Sequence, residues 1–158
     1  MIVRVVVVGR VKGPLEDVVG NYEGRCGRYW KFQVDEVAAG ARGQADPDQV
    51  VEAEGERLLA RLPTSGLVVA LTRDGRPMSS RDLASLLERE ALASTQEVAF
   101  VIGGAFGLAE AVLDRSRVRM SLSAMTLPHE LARLVLAEQL YRAGTILRGE
   151  PYHKGQDG

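Results

Sequence analysis

The chain has 158 residues and a mass of 17.1 kDa, which fits one folded domain, residues 1–158. A hydrophobic fraction of 46% excludes a wholly disordered chain, and a net charge of −1 without a basic arm excludes nonspecific nucleic-acid binding by a lone monomer. The single cysteine, Cys26, excludes an intramolecular disulfide and a thiolate zinc cluster and favours a reducing cytoplasm. The apolar run Ile2–Val8 is too short to span a membrane.

Strand and helix patterns alternate along the chain. The first half predicts a strand at Ile2–Val8, a helix from Pro14 toward Trp30, a strand at 32–37, a loop at 38–45, a helix at 47–62 and a strand at 66–71. The second half predicts a polar turn at 72–78, a helix at 79–94 with a capping box, a strand at Glu97–Ile102, a helix at 108–115, a strand at 118–122 and a helix at 128–147. This alternation predicts a single α/β domain with a mainly parallel sheet and helices on both faces.

Three chain turns follow predicted strands and are expected to meet at one edge of the sheet, where ligands bind in such folds. They are the polar turn, the glycine turn (residues 103–107) and the serine run (residues 121–127). The glycine turn is as consistent with a tight structural turn as with a ligand loop, because its spacing matches no nucleotide fingerprint. In the serine run, Ser123 or Thr126 could simply cap the following helix, or the backbone could hold an adenine edge.

The remaining candidates have equally plain structural readings. His129 falls in the first turn of the last helix, where packing is the default, and His153 could be a base or a solvent-exposed tail residue. Together they are too few to bind a metal. The Arg25–Lys31 stretch, which includes Arg28, Tyr29 and Trp30, combines charge with aromatic rings as RNA-binding proteins do, but such stretches also occur on ordinary surfaces.

The last third of the chain carries a specific signature. Residues 121–155 read SLSAMTLPHELARLVLAEQLYRAGTILRGEPYHKG, and residues 100–108 read FVIGGAFGL. This stretch closely resembles the bacterial methyltransferases that modify N3 of a pseudouridine in large-subunit ribosomal RNA, which are minimal members of the SPOUT family. The resemblance extends upstream to Gly9, Gly40, Gly55 and Gly75 and covers essentially the whole chain. It implies a SPOUT α/β fold with a C-terminal trefoil knot at roughly 97–150 and a functional tail at 150–155.

The resemblance also implies S-adenosylmethionine as the cofactor and a homodimer as the assembly. By position, the cofactor residues are Leu71, Gly103, Leu122, Ser123, Ala124, Met125, Thr126 and Leu127. The implied substrate is a pseudouridine in a 23S rRNA stem-loop of the assembled 70S ribosome, with no DNA and no membrane as partner and a cytoplasmic location. Tyr152, His153 and Arg142 match the family's Tyr-His and Tyr-Arg positions, so they are expected to orient or deprotonate the base and to steady its charge.

The chain departs from the family at three points. Ala105-Phe106 stands where Pro-Glu is usual, Gly144 replaces an aromatic residue in the last helix, and Lys154 stands where Arg is common. The first change removes a carboxylate beside the cofactor turn and adds a bulky ring. Three alternatives therefore stay open: a noncatalytic ribosome-binding or RNA-binding protein on the same scaffold, a SPOUT methyltransferase for another RNA, and a generic nucleotide-binding protein.

Overall fold

A computed structural model describes residues 1–153, with only the backbone of His153. The strands are β1 (Ile2–Val8), β2 (Lys31–Val37), β3 (Leu67–Pro77), β4 (Glu97–Ile102) and β5 (Val118–Ser121). The helices are α1 (Glu16–Cys26), α2 (Pro47–Leu59), α3 (Ser80–Leu92), α4 (Glu110–Arg115) and α5 (His129–Leu147), with short 3₁₀ turns at Gly13–Leu15 and Pro151–His153.

The five strands form one all-parallel sheet in the order β2-β1-β4-β3-β5. The connection from β1 to β2 through α1 and that from β3 to β4 through α3 run in the same direction along the sheet. Both helices pack on one face, through Cys26 and Leu83. Helices α2 and α4 make the opposite connections and pack on the other face through Leu58 and Val112. All four crossovers therefore share one hand, as parallel sheets require. Alternate valines of β1 supply both cores, which confirms the fold class expected from the sequence.

The longest helix, α5, runs back from the carboxyl edge of the sheet between α1 and α3. Arg133, which is 7% exposed, fixes it there by donating two hydrogen bonds to the Glu23 carboxylate of α1 and one to Glu36 of β2. The Cys26 thiol donates to the Ala137 carbonyl oxygen at 3.4 Å. A Cβ at Gly144 would collide with the Tyr29 ring, so in this chain that ring fills the space beside the glycine.

Most predicted element limits agree with the structure. The bounds of β1 and β4 are confirmed to the residue, and Ser79 and Asp82 form the expected capping box of α3. The prediction that β3 ends at residue 71 and is followed by a polar turn at 72–78 was wrong, because β3 continues to Pro77. Leu71 and Arg76 both lie opposite Met120, so residues 72–75 form an excursion, here called the β3 bulge, within one strand.

Candidate functional site

The carboxyl ends of β3, β4 and β5 open onto a cavity of about 540 Å³. The β3 bulge, the glycine turn, the serine run and the first residues of α5 surround it. The predicted cofactor residues that line the cavity are Leu71, Gly103, Leu122, Ser123, Met125, Thr126 and Leu127. Ala124 belongs to the same run but does not line the cavity. The three chain turns that the sequence indicated thus share one concave site at the carboxyl edge of the sheet.

The glycine turn forms one wall of this cavity with its backbone. Gly107 has a φ of +85°, and its amide donates to the Gly104 carbonyl oxygen at 3.2 Å, which closes the turn. A Cβ on Gly103 would come within 3.0 Å of the Gly107 backbone and of Leu108, so a side chain there would crowd the turn. Phe106, the bulky departure from the family pattern, lines the cavity and is 54% exposed.

The serine run forms the opposite wall and is held by its own hydroxyl groups. The Ser121 hydroxyl contacts the carbonyl oxygens of Arg73 and Ser123 at 2.9 and 3.0 Å, and the Ser123 hydroxyl accepts from the Met125 amide at 3.0 Å. The Arg73 guanidinium donates to the Thr126 hydroxyl at 3.0 Å. Pro128 occupies the cap position of α5 without a side-chain hydrogen bond, so neither Ser123 nor Thr126 caps that helix.

Two cavity-lining side chains hold a polar atom that is buried against the protein. Thr72 Oγ1 and His129 Nε2 are buried and make no hydrogen bond with the described residues. His129 lies against Gly9 at the end of β1, where an added Cβ would be 2.9 Å from Nε2. Sequence reasoning gave His129 a packing role and did not place it in this site, because the approach of β1 to α5 has no local signal. The apolar side chains and open backbone of the cavity wall fit an adenosine-bearing ligand.

A buried carboxyl group lies behind the glycine turn. Glu54 of α2 is 3% exposed; its Oε2 accepts from the Gly40 amide at 2.8 Å, while Oε1 makes no hydrogen bond with the described residues. A Cβ on Gly104 would lie 2.7 Å from Oε1, so the turn rests directly on this carboxyl group. No role in the site was predicted for Glu54 from the sequence, although its spacing of four from buried Leu58 places it on the inward face of α2.

The predicted catalytic residues lie at the far end of α5. Arg142 stacks over the Tyr152 ring at 5.0 Å, and the Glu138 carboxylate accepts from Arg142 at 3.1 Å and from the Tyr152 hydroxyl at 3.2 Å. Glu138 therefore orients both residues, which the sequence analysis did not anticipate. Burial, the neighbouring Tyr22 hydroxyl and the Glu138 charge raise the pKa of Tyr152 well above its ordinary value. The His153 side chain lies outside the described residues, as do residues 154–158, which include the last two residues of the predicted tail.

The structure does not bring the two predicted sets of residues together within one chain. The cavity lies beside the first turn of α5, whereas Arg142 and Tyr152 lie near its last turns. Arg142 follows His129 by thirteen residues, about 20 Å along the helix axis, so the two sets do not meet within one chain. One chain therefore presents two half-sites.

Other chemistries find little support in the described part of the chain. Burial, with the charges of Glu23 and Glu138, raises the pKa of the Cys26 thiol to about 12, which makes it a poor nucleophile. Among residues 1–153, no three His, Cys, Asp or Glu side chains come together as a metal site would need. No helix in the same range is both long and apolar enough to cross a bilayer.

Comparison with known proteins links this geometry to one family. A family model described as "Predicted SPOUT methyltransferase" matches residues 1–153. A protein of Gemmatimonas aurantiaca named "Ribosomal RNA large subunit methyltransferase H" is 50% identical over 155 residues, covering 98% of this chain and all of the relative. Relatives with the same name from Syntrophotalea carbinolica and Listeria monocytogenes are each 45% identical, covering 92% and 98% of this chain and 94% and 100% of the relatives.

A solved structure shares the fold at low sequence identity. A "probable methylase family protein" from Haemophilus influenzae Rd KW20 superposes with a TM-score of 0.53 at 13% identity, covering 99% of this chain and 72% of that protein. At that identity the match is evidence for the fold alone. The near-full-length relatives supply the stronger evidence for the family, because they are 45–50% identical over 92–98% of this chain.

Proposed function

Because this chain belongs to the SPOUT methyltransferase family, we propose that it transfers a methyl group from S-adenosylmethionine to N3 of a pseudouridine in 23S ribosomal RNA. The substrate is the assembled 70S ribosome in the cytoplasm. The observation that carries the proposal is the cavity at the carboxyl edge of the sheet, formed by the same three turns that match the family signature. The names of the relatives supply the RNA class.

The residues around the cavity suit the cofactor. Leu71, Leu122 and Leu127 offer apolar walls, and the backbone of the glycine turn can approach a ligand closely. When bound, the cofactor supplies an electrophilic sulfonium methyl group, so the protein has mainly to position the acceptor nitrogen and manage its proton.

The far end of α5 is suited to the acceptor base. The raised pKa of Tyr152 keeps its hydroxyl protonated near neutral pH, which supports a role in orienting the base by hydrogen bonding rather than in removing its proton. Arg142, held by Glu138, can stabilise negative charge on the base. His153 remains the proposed proton acceptor, since an imidazole titrates near neutrality.

The separation of the half-sites supports a homodimer in which a second copy supplies the tail to each cavity. Exposed apolar side chains lie on α5 and the serine run: Leu131 and Val135 are each 38% exposed, and Met125 is 77% exposed. Their burial against a second copy would be favourable. The C-terminal trefoil knot stays a prediction.

The proposal is tested first by calorimetric titration with S-adenosylmethionine, with ATP as the control ligand. Selective binding of S-adenosylmethionine is expected, followed by transfer of labelled methyl to ribosomes that lack the modification. Preference for ATP would contradict the methyltransferase assignment. Ribosome binding without cofactor binding would instead favour the noncatalytic alternative, and Phe106 in the cavity would be its structural cause. Label in small RNA rather than in ribosomes would favour another RNA substrate.

A further inference from the structure

A cationic and aromatic surface lies at the amino-terminal edge of the sheet, where α1 ends, β2 begins and α5 ends. We call it the basic aromatic surface: Arg25, Arg28, Tyr29, Trp30, Lys31 and Arg148. The Tyr29 and Trp30 rings meet edge to face at 5.8 Å, and the Arg148 guanidinium lies 5.2 Å from the centre of the Tyr29 ring. Arginine planes and aromatic rings together are the side chains on which nucleic-acid bases stack.

The charges of this surface are unbalanced. Arg28, Lys31 and Arg148 are exposed, and neither they nor Arg25 form an ion pair with any residue in 1–153. Two of the carboxylates nearby are already paired, Glu23 with Arg133 and Glu138 with Arg142. Glu150 accepts from the Tyr29 hydroxyl at 2.7 Å and leaves one negative charge beside the four cations. A chain with a net charge of −1 therefore concentrates four cations on one small surface.

Ring contacts connect this surface to the proposed catalytic end of α5. Tyr29 lies 5.9 Å from Tyr141, and Tyr141 lies 4.7 Å from Tyr152, measured between ring centres. Arg25 lies over the Tyr141 ring at 5.4 Å. A nucleotide held at Tyr152 would thus place its chain neighbours within reach of the surface.

We propose that the basic aromatic surface binds unpaired nucleotides that flank the target base, with the cations on phosphates and the rings against bases. This inference rests on the proposed function, because it assigns the RNA-recognition surface of that activity. Unpaired nucleotides fit better than a duplex, because stacking on a tyrosine or tryptophan needs a base released from its own helix. The surface also gives a chain with a net charge of −1 a local concentration of cations for RNA.

The test compares two triple variants with the same change of charge. The first, Arg28→Ala with Lys31→Ala and Arg148→Ala, removes exposed cations of the surface. The second, Arg61→Ala with Arg89→Ala and Arg117→Ala, removes three exposed cations elsewhere. We expect the first variant to raise KM for ribosomes about tenfold. The logarithm of its RNA-binding constant should also fall less steeply with the logarithm of the salt concentration, by about 2 in slope. Neither variant should alter the calorimetric affinity for S-adenosylmethionine, and the second should leave KM unchanged.

Fluorescence gives a direct reading of the place of binding, since Trp30 is the only tryptophan in the chain. A short oligouridylate should quench it in the wild type and in the second variant but not in the first, and a duplex RNA of equal length should quench it less. An equal KM change in both variants, or quenching that survives in the first, would overturn the inference while methyl transfer itself stands. Loss of cofactor binding and of methyl transfer in the wild type would instead contradict the proposed function.

Discussion

At the scale of single residues, the contact between Gly104 and Glu54 supports the cavity wall. A Cβ on Gly104 would lie 2.7 Å from Glu54 Oε1 and 3.1 Å from Val8 Cγ1, and the Glu54 side chain is buried. We expect Gly104→Ala to lower the free energy of unfolding by about 1–3 kcal/mol through overpacking and to weaken cofactor binding. Denaturant unfolding and calorimetry measure the two effects.

The matched control is Gly20→Ala in α1, where an added Cβ meets nothing within 4 Å. Alanine should stabilise that helix by about 0.5–1 kcal/mol, because glycine loses more backbone freedom on folding. A Gly104→Ala protein as stable as the wild type, with unchanged cofactor affinity, would show that the turn does not depend on the contact with Glu54.

Tyr29 gives a second prediction at this scale, for alkaline pH. Burial and the hydrogen bond to Glu150 raise the pKa of Tyr29 from 10.0 to about 12. Between these values the unfolded chain loses the proton first, so unfolding becomes easier as pH rises, and the stabilisation present below pH 10 is lost by about pH 12. Tyr29→Phe removes this titration and should flatten the fall in unfolding free energy above pH 10. Parallel curves for the two proteins would contradict the assignment.

At the scale of elements, local sequence determines where strands and helices lie but not what they meet. The β-branched run of β1 and the capping box of α3 carry their own signals, so their limits could be predicted. The β3 bulge could not, because it depends on pairing with β5, more than forty residues away. The places of Glu54 and His129 beside the site could not be predicted for the same reason. Glu54 lies against Gly104 and His129 against Gly9, and these glycines follow strands that are far away in sequence. The position of α5 could not be predicted either, because Arg133 of this helix pairs with Glu23 and Glu36, which are about a hundred residues away in sequence.

The ion pairs of Arg133 lead to a prediction about α5. Removing this guanidinium would leave Glu23 and Glu36 without their shared partner; the Glu23 side chain is only 13% exposed. We expect Arg133→Ala to lower the free energy of unfolding by about 3 kcal/mol, because an uncompensated carboxylate is left inside the protein. Arg117→Ala is the control: Arg117 is 70% exposed and 3.6 Å from Glu90, and its loss should change stability by less than about 0.5 kcal/mol. Equal changes in unfolding free energy in the two variants would mean that the ion pairs of Arg133 do not hold α5 in place.

At the scale of the whole molecule, the length of α5 decides how an active site can be assembled. Its first turn borders the cavity, and Tyr152 and Arg142 lie near the other end. Because the helix is rigid, no rotation of side chains can bring the two half-sites of one chain together. The proposed two-fold dimer would bring the cavity of each copy beside the tail of the other, because a two-fold axis repeats every contact between the copies.

Mixing two defective variants tests this arrangement. Thr126→Trp puts an indole at the cavity rim, and Tyr152→Ala removes the ring that Arg142 stacks on. Each variant alone should transfer little methyl to ribosomes. After unfolding and joint refolding in equal amounts, half of the dimers should be mixed, and each mixed dimer should hold one intact site made from the Thr126 cavity of one copy and the Tyr152 tail of the other. Activity should therefore recover to about a quarter of the wild-type value. If both half-sites acted within one chain, every site in the mixture would carry a defect and activity would not return. Size-exclusion profiles of both variants, matched to the wild type, ensure that recovery reflects shared sites rather than altered assembly.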